Sequence, residues 1–142
     1  MTQNVIERTI MWGDLDALGI VFYPRYSEWI DACGHHFFDK LGLNLGQLWS
    51  EHGIQFGLME TSCRYHQSGR YYQRIRIVTE IEKLTQKTVH LAHRIYDHDD
   101  EKLMVDGLEK RICMDVSDPK RFRARETPGD VYSVLQQAVG SY

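Results

Sequence analysis

Two carboxylates, Asp14 and Asp16, stand two residues apart at the mouth of an apolar run, in the stretch WGDLDALGIVFYPRY from Trp12 to Tyr26. A carboxylate in an apolar loop can attack an activated carbonyl or draw a proton from water. Gly19 permits a tight turn just after the acids. The run IVFYP then leads into a helical pattern. The first N–H groups of a helix have no intrahelical acceptor, and the helix dipole favours negative charge there. Such groups can hold a developing oxyanion. The two features together outline acyl-transfer chemistry. The same residues also fit a plain cap or turn former, since Asp is common before helices, and spacing alone does not say which acid matters.

The acids must be positioned by the elements around them. Val5–Trp12 alternates and reads as a strand. From Pro24 the period changes: Tyr26, Trp29, Ile30, Cys33, Phe37 and Leu41 form one apolar stripe on a helix of about five turns. Pro24 suits the first helical position and Gly42 the stop. Gly34 inside that helix marks a close approach by another backbone. Leu45–Gly53 reads as a short second helix. Four strands follow, over Ile54–His66, Arg74–Leu84, Lys87–Tyr96 and Leu103–Val116, with turns near Gln86 and over Asp97–Lys102. Thr127 as cap, with Pro128 and Asp130 after it, opens a C-terminal helix. One long helix and about five strands cannot cover both faces of a parallel sheet. The expected class is α+β, with the helix against one curved antiparallel sheet. Trp29, Phe37 and Phe38 make an apolar face too wide for one small sheet, which points to a homodimer or homotetramer.

Composition narrows the classes of function. The 142 residues carry a net charge of −3, with 42% apolar and 26% charged residues. No basic field points to nucleic acid or to an anionic membrane, and no run is long enough to span a bilayer. The N-terminus lacks the order of a signal peptide. Cys33, Cys63 and Cys113 are few and far apart, which fits a single cytoplasmic domain over residues 1–142 with free, buried thiols.

The stretch GDLDALGIVFYPRYSEWIDA resembles the signature of the 4-hydroxybenzoyl-CoA thioesterase family of hot-dog folds. An aspartate, two residues and a glycine precede an apolar-aromatic run, an Arg-Tyr pair and an amphipathic helix. A weaker match lies in YHQSGRYYQRIRIV, where Tyr65, Tyr71, Ile75 and Ile77 fit, Ser68 stands for a proline, and Tyr72-Gln73 replace Gly-Asp. The resemblance implies a hot-dog fold and thioester hydrolysis without a cofactor or metal. It makes Asp16 the nucleophile or general base, leaves Asp14 a supporting role, and places the Tyr23 backbone N–H on the thioester oxygen. Substrate contacts are expected from Trp12, Gly19, Phe22, Tyr26 and Trp29. The expected partner is an acyl-CoA, with acyl carrier protein as the other possible carrier and an aromatic acyl group as the family's pattern. Subunit interfaces are the family's place for sites.

Other constellations weigh less. Asp31, His35, His36 and Asp39 share helical spacing, but no further ligand joins them, and they read as a polar helix face. His66 could join a site; otherwise His66, His90 and His93 read by default as ordinary hydrogen-bonded histidines. The basic run PKRFRAR offers Arg121, Arg123 and Arg125, with Lys87, to the phosphates of CoA. The alternative to a thioesterase is a hot-dog hydratase or dehydratase, or an acyl-binding module. A dehydratase sets a His beside its acid, and no His flanks GDLDALG.

Overall fold

The computed structural model describes residues 1–140. Strand β1 (Gln3–Thr9) precedes a 3₁₀ turn at Trp12–Asp14 and the long helix α1 (Pro24–Lys40). Helix α2 (Leu45–Gln47) runs into one π turn at Leu48–His52. Strands β2 (Ile54–Tyr65), β3 (Arg74–Leu84), β4 (Thr88–Asp97), β5 (Leu103–Asp115) and β6 (Arg123–Ala124) follow, and α3 (Gly129–Val139) closes the chain. The strands make one antiparallel sheet in the order β1-β3-β4-β5-β2, with β6 beside the end of β5. The sheet curls around α1, which is the expected α+β hot-dog arrangement.

Register follows from the alternation of side chains. Ile6, Ile77, Ile95, Val105 and Tyr65 stand in one row across five strands. On β3, Ile75, Ile77, Thr79 and Ile81 point inward and are buried, while Arg74, Arg76, Glu80 and Glu82 alternate with them. A single-residue slip would expose that whole set. Helix α1 buries Tyr26, Trp29, Ile30, Cys33, Phe37 and Phe38. It ends where Gly42 takes φ +77, a conformation that costs glycine little.

Three expectations need correction. The first strand stops at Thr9, because the next residues turn to seat Asp14. The last helix starts at Gly129 with Pro128 at its cap, and Thr127 is buried rather than capping. Most consequentially, Trp29, Phe37 and Phe38 are all buried within one chain. Val131, Leu135 and Ala138 of α3 share a core with Phe37 and Phe38, and the Arg8 guanidinium lies 4.6 Å from the Trp29 ring centre. Helix α1 therefore leaves no apolar face in need of a partner. On β2, by contrast, Leu58 and Met59 are exposed and a bulge interrupts pairing with β5.

Beneath α1 runs a buried chain of polar groups. Thr79 Oγ1 lies 2.8 Å from His93 Nδ1, and His93 Nε2 lies 2.8 Å from Glu109 Oε1. Arg111 donates to Glu109 at 2.8 Å and to Asp31 of α1 at 2.9 Å. Asp31, read from sequence as part of a solvated face, thus ties the helix to β5. Gly34 faces this chain: a Cβ there would stand 2.8 Å from Glu109 Oε1. The close approach is to a pinned carboxylate, not to a backbone. Gly34→Ala should therefore destabilise the protein by about 1–3 kcal/mol through overpacking, although helix propensity alone would favour alanine by about 1 kcal/mol. Urea unfolding checks this; a midpoint unchanged or raised would show that Glu109 yields freely.

Candidate active site

The acids fold into two different turns. Asp14 is 8% exposed. Its carboxylate accepts the Met11 N–H at 2.9 Å and pairs with Arg8 at 3.4 Å, while its carbonyl accepts the Phe22 N–H at 2.9 Å. It is the post on which the loop hangs. Asp16 lies one step up a small ladder in which Leu15 pairs with Val21 and the Asp16 N–H reaches the Ile20 carbonyl at 2.9 Å. Gly19 turns this hairpin with φ +73. Asp16 Oδ1 accepts the Leu18 N–H at 2.8 Å. Among the described residues Asp16 Oδ2 has no partner and the side chain joins no ion pair. The two acids do not share a face, contrary to what their spacing allowed.

The hairpin delivers the chain to α1. Pro24 has no N–H to offer. The Arg25 N–H reaches the Phe22 carbonyl at 2.9 Å, and the Tyr26 N–H reaches the Tyr23 carbonyl at 3.1 Å. Among the described residues the Tyr23 N–H has no acceptor. One free amide thus stands at the positive end of α1.

A cleft of about 170 Å³ opens beside that amide, lined by Ile20, Val21, Tyr23 and Tyr26 on one side and by Tyr65, His66, Gln67 and Ser68 on the other. Ile20, the ladder neighbour of Asp16, and Tyr23 both face it. The two walls are stitched together at Gly69: its carbonyl accepts the Val21 N–H at 2.9 Å, and its N–H donates to the Tyr26 hydroxyl at 3.1 Å. A Cβ at Gly69 would fall within 3 Å of Val21, Ile10 and Tyr26 atoms. Burial pushes the Tyr26 phenol up, so it stays protonated at neutral pH.

The other expected contacts divide. Trp12 is 75% exposed and meets the Tyr71 ring edge-on at 5.6 Å. Phe22 is exposed beside Tyr23. Trp29 belongs to the core and does not line the cleft. His66, Gln67 and Ser68 reach the cleft from the loop that the weaker match, YHQSGRYYQRIRIV, spans. Gly69 was the available signal, as a lone glycine in a polar turn. His93 is the hydrogen-bonded core histidine expected, but against a carboxylate. All three thiols have raised pKa values, mainly from burial, with Cys33 pushed up to about 11, so none is a ready nucleophile. Among the described residues no three metal-ligating side chains converge.

The basic candidates collect at the opposite end of β5 from the cleft. Arg123 pairs with Asp115, and the Lys87 carbonyl accepts the Cys113 N–H at 2.7 Å. Lys87, Arg121 and Arg123 are exposed. Val105, by contrast, stands beside Tyr65 at the cleft. Within one chain these cations are too remote to meet a substrate in the cleft.

Comparison with known proteins gives this geometry a context. Residues 10–138 match the model of the thioesterase-like superfamily. The chain is 29% identical over 133 residues to a 4-hydroxybenzoyl-CoA thioesterase from Pseudomonas sp. (strain CBS-3), covering 88% of this chain and 92% of that one. An aspartate-to-asparagine mutant of 4-hydroxybenzoyl-CoA thioesterase, complexed with 4-hydroxybenzoyl-CoA, superposes with TM-score 0.85 at 25% identity, covering 94% of this chain and 98% of the other. A gentisyl-coenzyme A thioesterase superposes with TM-score 0.80 at 28% identity, covering 93% and 99%.

The two acids should separate by stability. Asp14→Ala strands the Met11 N–H and Arg8, and should cost about 1–3 kcal/mol. Asp16→Ala, at a partly exposed turn, should cost under about 1 kcal/mol. Thermal unfolding of the two variants checks the order; a reversed order would remove Asp14 from its supporting position.

Proposed function

The chain belongs to the thioesterase-like superfamily, and from that premise we propose that it hydrolyses acyl-CoA thioesters to the free acid and CoA. What supports the mechanism is that, among the described residues, one carboxylate oxygen of Asp16 and the amide of Tyr23 are both without a partner, on one loop whose Ile20 and Tyr23 line a cleft that Asp16 itself does not line. The thioester carbonyl oxygen takes the Tyr23 N–H, which stabilises the charge that develops as the carbonyl carbon becomes tetrahedral. Asp16 then follows one of two routes. Its Oδ2 attacks the carbon, expels the CoA thiolate and leaves a mixed anhydride that water opens. Alternatively it takes a proton from the water that attacks directly. The acyl group is aryl, in keeping with the relatives named for 4-hydroxybenzoyl-CoA and gentisyl-CoA and with the three tyrosines on the cleft.

The working unit is a dimer paired along β2. This strand ends the sheet, and from Leu58 to Glu60 every side chain is exposed. Bare edges invite pairing. A two-fold pairing of β2 with β2 is antiparallel, so the start of one strand meets the end of the other. Twelve residues span roughly 40 Å. That arrangement carries Lys87, Arg121 and Arg123 of one protomer toward the cleft of its partner, where CoA phosphates can meet them. It also enlarges a cleft that by itself falls below the roughly 300–1,000 Å³ of typical ligand sites.

A thiol-release assay over aryl, short-chain and long-chain acyl-CoAs tests the activity. Release should be greatest with aryl groups. Asp16→Asn should lower kcat by about 10²–10⁴-fold, whereas Trp12→Leu should act mainly on KM. Undiminished release from Asp16→Asn would overturn its role, and hydration of an enoyl-CoA without thiol release would carry the alternative chemistry. Light scattering tests the assembly: the wild type should have twice the chain mass or a multiple of it, and Leu58→Lys with Met59→Lys should give inactive monomers. A fully active wild-type monomer would refute the shared site.

A further inference from the structure

Trp49 and Phe122 are large aromatic side chains left in water with no role in the core. Each is 48% exposed. They come from distant parts of the chain, the π turn before β2 and the loop before β6, and meet edge to face with ring centres 5.9 Å apart at 84°. Each ring packs against the other, and about half of each stays open to solvent. The open half of each ring offers a face on which a flat ligand can stack.

Charge identifies the ligand. Phe122 sits in KRFRAR, with Lys120, Arg121, Arg123 and Arg125 within three residues of it in a chain of net charge −3. Among the described residues none of these four joins a salt bridge; only Arg125 is engaged, donating Nε–H to the Glu126 carbonyl at 2.8 Å. Unpaired guanidinium groups beside an open aromatic face combine phosphate recognition with base stacking. We propose that Trp49 and Phe122 form the platform for the adenine ring of acyl-CoA, with the adjoining cations on its phosphates. This rests on the acyl-CoA reading and deepens it, because the nucleotide is the part of CoA that acyl carrier protein lacks.

The fold puts the platform where such a substrate would need it. Trp49 lies just ahead of Ile54, the first residue of β2, and Ile54 and Arg123 both pair with Asp115. In the β2-paired dimer this end of one protomer faces the Tyr65 end of the other, where the cleft lies. The nucleotide then rests on one subunit while its acyl group enters the site of the next.

The test compares one acyl group on two carriers, CoA and N-acetylcysteamine, which has the thioester but no nucleotide. Phe122→Ser and Trp49→Ser should each lower the ratio of kcat/KM for the CoA thioester to that for the N-acetylcysteamine thioester by roughly 5- to 150-fold, the span of a lost base stack. Trp49→Phe should restore most of the ratio. Adenosine 3′,5′-bisphosphate should quench wild-type tryptophan fluorescence, and Trp49→Phe should abolish the quench while still binding the bisphosphate. An unchanged ratio, or a quench that survives in Trp49→Phe, overturns the platform. So does binding of anionic vesicles or an RNA oligomer with no binding of the bisphosphate. If the wild type hydrolyses neither thioester, the activity reading fails, and the fluorescence titration still decides the platform on its own.

Discussion

Helix α1 can lie on the sheet only because two glycines stand where side chains would collide. Gly34 on the helix leaves room for Glu109, and Gly107 on β5 leaves room for Ile30, whose Cδ1 would stand 2.7 Å from an added Cβ. The approach encloses a carboxylate, and an unpaired buried charge costs several kcal/mol. His93 and Arg111 supply its partners, and Arg111 in turn donates to Asp31 of the helix. Replacing this chain with apolar residues need not weaken the fold. What the charges fix is a unique height and rotation for the helix, since Asp31 and Arg111 meet only in one arrangement.

That height matters because the proposed chemistry depends on the end of the helix. The Tyr23 amide has no freedom apart from α1, and the Asp16 carboxylate has none apart from the hairpin fixed by Asp14. The hairpin in turn is fastened to the helix by way of Gly69, whose carbonyl takes the Val21 N–H and whose own N–H donates to the Tyr26 hydroxyl. Core packing, a buried ion pair and one tyrosine hydrogen bond thus converge on two atoms. Preorganisation of this kind lets a single amide stabilise an oxyanion without first reorienting water.

The outer face of the sheet's middle is polar and paired. The outward positions of β3 and β4 alternate Arg76, Glu80, Arg94 and Tyr96, with Glu80 bonded to Arg94 at 3.0 Å and Arg76 lying 4.8 Å from the Tyr96 ring centre. The hydrogen bonds from Gln3 and Arg94 hold the Glu80 carboxyl below its ordinary value, the Gln3 bond most of all. Such a surface is at ease in water. Strand β2 is not, and the cleft and the basic, aromatic end of the sheet lie at its two ends. In the proposed dimer, one edge joins assembly to substrate binding.

Much of this was legible in the residues. Period-2 and period-3.6 patterns gave the strands and the long helix, because burial of one face imposes its repeat on the sequence. The spacing around Asp14 and Asp16 marked the hairpin itself, because a tight turn before a helix needs glycine and proline at set places. Tertiary structure decided the remainder. It separated the two acids, since only three-dimensional packing brings Arg8 to Asp14. It left one amide free at α1, since Phe22 and Tyr23 carbonyls take the next two. It brought the 66–70 loop to the cleft and Phe122 to Trp49, buried the helix face that seemed to need a partner, and left β2 bare instead. A sequence states which residues prefer burial or charge, but contacts between distant segments depend on how the sheet curls, and no local pattern encodes that curl.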